Sequence, residues 1–200
     1  MRAGNGAAMM ARMPSAQSSN ANSLVATSTV SSHETIDHTA ELSANFGSLL
    51  LSPELSDVSF RIEDEELPVH RVLLAARSEY FRAMFYGGMR EGHEQLIDLH
   101  ETPLQAFKEL LKYMYTGRLS LSGAREELIL DLLGLAHKCA FTALQEAIAD
   151  HLKATLSTRN VCTVFNVSQL YSLSSLTQHC YLYADRNASG ILASAVNRLP

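Results

Sequence analysis

The chain has 200 residues, a hydrophobic fraction of 46% and a formal net charge of −5. This length and composition fit a soluble globular protein with room for one domain and part of another. The mild acidity offers no basic surface to nucleic acid, and no apolar run approaches the roughly 18 residues that a membrane-spanning helix needs. We therefore expect neither nucleic acid nor a membrane as a partner.

The chain contains three cysteines, Cys139, Cys162 and Cys180. They are widely spaced and form no CxxC pair. This usage predicts free thiols, most of them buried, in a reducing compartment. Residues 1–32 contain no compact apolar run of the kind that a secretory signal needs. A cytoplasmic location is therefore expected, with the nucleus as the alternative.

Residues 1–34 are rich in Ser, Ala, Asn and Gly, so we predict a disordered leader that cannot offset its ordering entropy. The first helix is predicted from an apolar stripe at i, i+4, i+7 and i+8, formed by Leu42, Phe46, Leu49 and Leu50. Pro53 is expected to stop it. A stripe of this kind most often packs on the core of its own domain.

A small sheet is predicted next. Val58, Phe60 and Ile62 alternate with polar residues, which is the period of a strand. The acidic run 63–66 is interpreted as a solvated hairpin turn leading into residues 67–69, where Pro68 favours an edge strand. Residues 96–99 are expected to form a third strand.

Two short helices lie between the second and third strands. Tyr80, Phe81, Met84 and Phe85 fall on one side of the second helix, and Gly87-Gly88 is expected to end it in a left-handed conformation. The next three residues are Met89-Arg90-Glu91. An exposed Met between charged residues carries apolar surface that folding alone does not require.

The remaining chain is predicted to be helical. Thr102-Pro103 are expected to start a helix whose apolar residues repeat every 3.6 positions until Gly117. Helices at 126–138 and 141–152 repeat the pattern, and two more are expected beyond residue 157. A run of helices after a small sheet indicates an α+β fold with the sheet capped by helical hairpins.

No enzyme motif stands out. His137 and Cys139, or His179 and Cys180, lack the spacing of a structural zinc site, and no phosphate loop, GxSxG or HExxH occurs. The enzymatic alternative is a thiol nucleophile at Cys139 or Cys162, which requires a lowered thiol pKa and an open cleft. We predict no catalytic activity and no cofactor or metal.

One stretch resembles a known family. The residues are His70-Arg71-x-x-Leu74-Ala75-x-x-Ser78-x-x-Phe81-x-x-Met84-Phe85, followed by Gly87-Gly88-Met89-Arg90-Glu91. They are similar to the signature of BTB/POZ domains, and Asp57-Val58-Ser59-Phe60 resembles the start of that fold's first core strand. The resemblance implies a BTB/POZ domain over 35–156, truncated helices of a BACK region over 157–194 and a divergent tail over 195–200.

The resemblance also implies a homodimer. In BTB domains the first helix packs on its partner's copy, which makes Leu42, Phe46, Leu49 and Leu50 candidates for the interface. The residues that match Asp57 and Arg71 form a charged pocket in that interface. A buried pair of this sort survives only when both charges are matched.

A second implied site is the loop after the double glycine. Met89-Arg90-Glu91 matches the φ-x-E motif of BTB proteins that recruit the N-terminal region of cullin-3, with Tyr86 beside it. Helices around 161–171 would complete that groove. Cys139-Ala140 depart from the family, which often has an aromatic residue there. The alternative is that Met89 packs back on its own core.

The function implied is a substrate adaptor of a cullin-3 ubiquitin ligase, with an unidentified substrate, in a form that lacks the substrate-binding domain. The alternative is a scaffold or corepressor-type BTB dimer that does not bind cullin. In either function the chain binds other proteins and performs no chemistry itself.

Overall fold

The computed structural model describes residues 36–190. Within them lie three strands, β1 (Val58–Ile62), β2 (Glu65–Val69) and β3 (Leu96–Asp98). β1 is the central strand, antiparallel to β2 and parallel to β3. The predicted leader (1–34), the predicted tail (195–200) and residues 191–194 lie outside the described residues.

The described part of the chain also contains eight α-helices: α1 (Thr39–Ser48), α2 (Arg71–Arg77), α3 (Glu79–Tyr86), α4 (Leu104–Thr116), α5 (Glu126–Lys138), α6 (Thr142–Ala154), α7 (Val161–Leu170) and α8 (Ser174–Arg186). α4 packs on α5, α5 packs on α6, and α1 packs on α4. α7 and α8 form a hairpin that contacts α6 through α8. Among residues 36–190, no helix has the length and apolar character needed to cross a bilayer.

The core is organised around Phe60, which is fully buried on β1. Its ring centroid lies 5.7 Å from that of Phe81, 6.1 Å from that of Phe85 and 5.5 Å from that of Phe107. Tilted, stacked and edge-on aromatic pairs at these distances add to the free energy gained by burying the rings. One strand residue therefore joins the sheet to both α3 and α4.

The sheet and the large helices agree with the sequence pattern. Val58, Phe60 and Ile62 alternate inward along β1, and β2, which contains Pro68, is an edge strand. α4 ends at Gly117 with φ at 69°, a conformation that glycine adopts at little steric cost. The predicted α+β class, a small sheet capped by helices, is confirmed.

The acidic run is not a four-residue turn. Only Glu63 and Asp64 form the turn, since Glu65 and Glu66 already pair with Ile62 and Arg61 in the β-ladder. The Arg61 guanidinium lies 3.1 Å from the Glu66 carboxylate. A cross-strand charge pair therefore extends β2 into a segment whose local composition suggested a loop.

Two helix ends also differ from the predictions. α1 ends at Ser48, and Leu49 and Leu50 lie in the turn that follows it. The periodic stripe thus continues past the end of the helix. At α4 the residue before the helix is Pro103, and the Thr102 hydroxyl donates to the His100 carbonyl at 3.2 Å, so Thr102 does not cap the helix.

The aromatic core gives the first testable expectation. Phe60→Ala removes the ring that α3 and α4 share, and large-to-small changes of buried Phe cost about 3–5 kcal/mol of unfolding free energy. Urea denaturation of the variant should show this loss. Leu170→Ala, at an exposed position on α7, is the control and should change stability by no more than about 0.5 kcal/mol. Equal effects would contradict the central position of Phe60.

Candidate functional site

The loop that follows α3 exposes the apolar side chain of Met89. The Gly87 N–H donates to the Ala83 carbonyl at 2.8 Å, and Gly88 has a φ of 80°. That left-handed conformation favours glycine. The chain then turns outward, leaving Met89 51% exposed and Tyr86 62% exposed. Met89 does not pack beneath its own helices.

Met89 leads directly into a short, tightly built 3-10 turn over Arg90–Gly92. The Gly92 N–H donates to the Met89 carbonyl at 3.1 Å. A β-carbon at Gly92 would lie 2.7 Å from the Phe85 carbonyl oxygen, which is too close for any other residue without a backbone shift. Glu91 lies within this turn and is partly buried. The φ-x-E residues are therefore held in a defined conformation.

Arg71, the first residue of α2, holds this turn from the side. Its guanidinium donates to the carbonyls of Gly92 and Glu94 and lies over the Phe85 ring, 5.3 Å from the ring centroid. A planar guanidinium suits two carbonyls and an aromatic face at once. The sequence alone gave no sign of the two hydrogen bonds, because they join residues more than 20 positions apart.

The expected charged pair between Asp57 and Arg71 takes another form in the described residues. The Asp57 carboxylate accepts the backbone N–H of Arg71 at 2.8 Å, while the Arg71 guanidinium points to the turn. The first N–H groups of a helix lack partners inside the helix, and a carboxylate there also favours the helix dipole. Asp57 is exposed. Within the described residues Asp57 and Arg71 are thus joined through the Arg71 backbone, and their place in a charged pocket of a dimer interface stays a prediction.

An apolar groove of about 720 Å³ runs between α1, α2 and the end of α4. It contains three of the residues predicted for a dimer interface, Leu42, Phe46 and Leu49. Leu42 and Phe46 remain 55% and 42% exposed. Exposed apolar surface concentrated in one groove is typical of a protein-binding surface.

The groove also contains residues that the sequence analysis missed. Leu55, in the loop before β1, is 77% exposed, and Val72 on α2 is 69% exposed. Leu55 has a φ of 61°, which is uncommon for a leucine. The predicted interface residues Leu50, Asp57 and Arg71 do not line the groove. Leu50 packs against the core of its own chain.

His70 and Tyr115 form a polar pair in the groove wall. His70 Nε2 lies 3.0 Å from the Glu54 carbonyl, which can only accept, so Nε2 carries the proton. Nδ1 then accepts the Tyr115 hydroxyl at 2.8 Å. Burial raises the pKa of Tyr115 to about 12, so this hydroxyl stays protonated. Both ring nitrogens thus have partners within the chain, which favours a structural role.

The two buried thiols, Cys139 and Cys180, lie in surroundings that disfavour a nucleophilic thiolate. Burial raises the pKa of Cys139 to about 12 and also raises that of Cys180. Cys162 is exposed on α7. Within residues 36–190, no group of three or more His, Cys, Asp or Glu side chains could hold a metal ion. The required combination of a lowered pKa and an open cleft is not present at Cys139.

The segment 161–171, implied to complete a cullin groove, contacts the preceding domain at its end. The ring of Tyr171, just after α7, lies 4.8 Å from the ring of His137 on α5. The Tyr171 hydroxyl faces Gly134, where a β-carbon would approach it to 2.8 Å. α5 and the end of α7 are therefore in close contact.

Comparison with known proteins identifies the fold. A family model described as the BTB/POZ domain matches residues 46–156, more than half of the chain. The chain belongs to the BTB/POZ family. The BTB domain of human gigaxonin, a solved structure, covers 59% of this chain and 95% of its own with a TM-score of 0.50 and 25% sequence identity.

Among curated proteins the similarity extends beyond the BTB/POZ match. Human BTB/POZ domain-containing protein 9 is 48% identical over 160 residues, which are 80% of this chain and 26% of that protein. The Drosophila melanogaster protein of the same name is 43% identical over 159 residues, covering 80% and 22%. Human Kelch-like protein 21 is 34% identical over 135 residues, covering 68% and 22%. The chain spans about a quarter of the length of these relatives.

BTB/POZ domains are protein-interaction modules and generally not enzymes. The two surfaces described above, the Met89 turn and the α1–α2–α4 groove, are exposed and apolar, as protein-binding surfaces are. Function is therefore expected at these surfaces.

The thiol environments give a direct test of the enzymatic alternative at Cys139. Treatment of the folded protein with a mild alkylating agent near neutral pH should modify Cys162 and leave Cys139 and Cys180 unmodified, because buried, protonated thiols react slowly. Peptide mass spectrometry reads the sites, and the urea-unfolded protein, in which all three should react, is the control. Preferential modification of Cys139 in the folded protein would overturn this assignment.

Proposed function

We propose that this chain is a homodimeric protein-interaction module that serves as the BTB part of a substrate adaptor for a cullin-3 ubiquitin ligase. The observation that carries the proposal is the half-exposed Met89 in a turn with defined geometry. The chain supplies binding surfaces, and the ubiquitin chemistry belongs to other subunits.

The Met89 turn supports the cullin part of the proposal in two ways. An unbranched, polarizable methionine adapts well to an apolar cleft. The turn also fixes where that side chain emerges, so little conformational entropy is lost on binding. Arg90 bonds Glu94 through an ion pair of 2.8 Å, which leaves Met89 as the main apolar contact and Glu91 as a flanking carboxylate.

The groove supports the dimer part of the proposal. Leu42, Phe46, Leu55 and Val72 together expose apolar surface from three segments of the chain. A second copy that places its own α1 there would bury the same residues on both sides, as a two-fold interface requires. The gain is about 25 cal/mol for each square ångström of apolar surface buried.

Replacing Met89 tests the cullin surface. Met89→Ala should weaken binding of the purified cullin-3 N-terminal region at least about tenfold, since burying a Met side chain contributes roughly 1.5–3 kcal/mol. Glu91→Ala should weaken binding less. Titration calorimetry measures both. Tyr181→Ala, which removes an exposed apolar side chain on α8, is the matched control and should bind as the wild type does.

If wild type and Met89→Ala bind equally, the site is assigned wrongly. If the wild-type dimer does not bind cullin at all, the scaffold or corepressor-type dimer is the better description.

A charge in the groove tests the dimer. Phe46→Asp places a carboxylate where apolar surface should be buried, at a cost of several kcal/mol, so the variant should be monomeric. Size-exclusion chromatography with light scattering measures the mass. Asn45→Asp adds the same charge to α1 at an exposed neighbouring position outside the groove and should remain dimeric. A monomeric wild type at micromolar concentration, or a dimeric Phe46→Asp, would refute the interface.

A further inference from the structure

The Met89 turn has few contacts of its own to hold it. Two backbone hydrogen bonds define it, from Gly92 N–H to the Met89 carbonyl at 3.1 Å and from His93 N–H to the Arg90 carbonyl at 3.0 Å. The Arg90–Glu94 ion pair is exposed on the Arg90 side, and exposed pairs contribute little. Apart from the close approach of Gly92 to the Phe85 carbonyl, a side chain from outside the turn must fix its position against the domain.

Arg71 is the side chain that does so. Its guanidinium donates to the carbonyl of Gly92, the last residue of the turn, and to that of Glu94, which follows the turn. It also lies on the Phe85 ring of α3, which precedes the turn. One planar group thus joins both ends of the segment that contains Met89. Charge-assisted hydrogen bonds to carbonyls are stronger than neutral ones.

Arg71 is itself held in place. Its backbone N–H donates to Asp57 at 2.8 Å, and as the first residue of α2 it is continuous with Val72 and Leu73, which line the groove. Its side chain leaves the helix toward the turn and not toward the groove. The arginine is therefore anchored by its backbone and free to use its whole guanidinium on the turn.

We infer that Arg71 is a positioning residue for partner binding at Met89–Glu91. It keeps the turn in the conformation in which Met89 is offered to a partner. This differs from the dimer-interface role that the sequence suggested for it. The identity of the partner rests on the proposed function, whereas the effect of Arg71 on the turn does not.

Arginine is required at this position because of its shape. Lysine has the same charge but a single ammonium, which reaches one carbonyl at a time and cannot lie flat on Phe85. If Arg71→Lys leaves the turn in its competent conformation only about a tenth of the time, the apparent Kd rises about tenfold. Arg71→Met, which keeps an apolar stem without donors, should have at least as large an effect.

The experiment compares Arg71→Lys, Arg71→Met and the wild type in the full chain. Hydrogen exchange of the Gly92 and His93 amides reports the turn directly and should speed up about tenfold in both variants. Exchange in α4–α6, the unfolding midpoint and the oligomeric mass should change little in Arg71→Lys. Binding of the cullin-3 N-terminal region should weaken about tenfold.

Arg61→Met is the matched control. Arg61 also joins two elements, through Glu66 at 3.1 Å and Asp98 at 3.5 Å, but on the sheet and away from the turn. This variant should show wild-type exchange at Gly92 and His93 and wild-type binding. A thermodynamic cycle of Arg71→Lys with Met89→Ala adds a second test: the two losses should be less than additive, because both act through one contact.

Unchanged exchange at Gly92 and His93 in both Arg71 variants would overturn the inference, whatever the binding result. Faster exchange spread evenly over the whole domain would also overturn it, since that describes a general stabilising role. If the wild type binds no cullin while exchange at the turn responds as expected, the proposed function fails and the positioning role stands.

Discussion

The packing of α3 against the central strand sets the position of the surface on which the proposed function depends. Phe81 and Phe85 stack beside Phe60, and this contact fixes both the axis of α3 and the point where the helix ends. Interiors are packed too densely to let such a helix shift freely. Because the double glycine follows at once, the location of Met89 is a consequence of buried aromatic packing, while its exposure is a consequence of the turn.

α2 connects the two exposed apolar surfaces. This seven-residue helix contributes Val72 and Leu73 to the groove, and its first residue, Arg71, reaches the Met89 turn. Asp57 caps it from the segment before β1. A rigid element shared by two sites can pass a shift at one site to the other. Dimerisation and partner binding would thus share one structural element, and changes in α2 must be separated by measuring both.

Much of this fold can be predicted from local patterns. The 3.6-residue period is strong over α4, α5 and α6 because each helix buries one continuous face, and the alternation in β1 follows from burial on one side. Local patterns fail where contacts with distant residues determine the end of a helix or the extent of a strand. The Leu49–Leu50 pair continues the helical stripe, yet α1 ends before it. Glu65 and Glu66 have a loop-like composition, yet pairing with β1 places them in a strand.

Some features of the candidate site can likewise be predicted from local sequence patterns, and others cannot. The exposed Met between a double glycine and two charged residues can be found from sequence, since glycine placement and local polarity are local signals. The contacts of Arg71 with Gly92 and Glu94 cannot, because no periodicity relates positions so far apart in the chain. For the same reason Leu55 escapes notice: a single leucine in a loop has no pattern until the fold brings it beside α1 and α2.

The buried polar groups and the exposed apolar groups of the described residues have different roles. Among the described residues, no buried side-chain nitrogen or oxygen lacks a hydrogen-bond partner, and His70, Ser78 and Asn160 all bond within the chain. These three residues lie at the starts of α2, α3 and α7, so their bonds help to hold those helices in place. The described residues also expose apolar side chains in the groove and at Met89. Covering that surface with another protein removes it from water, which is favourable.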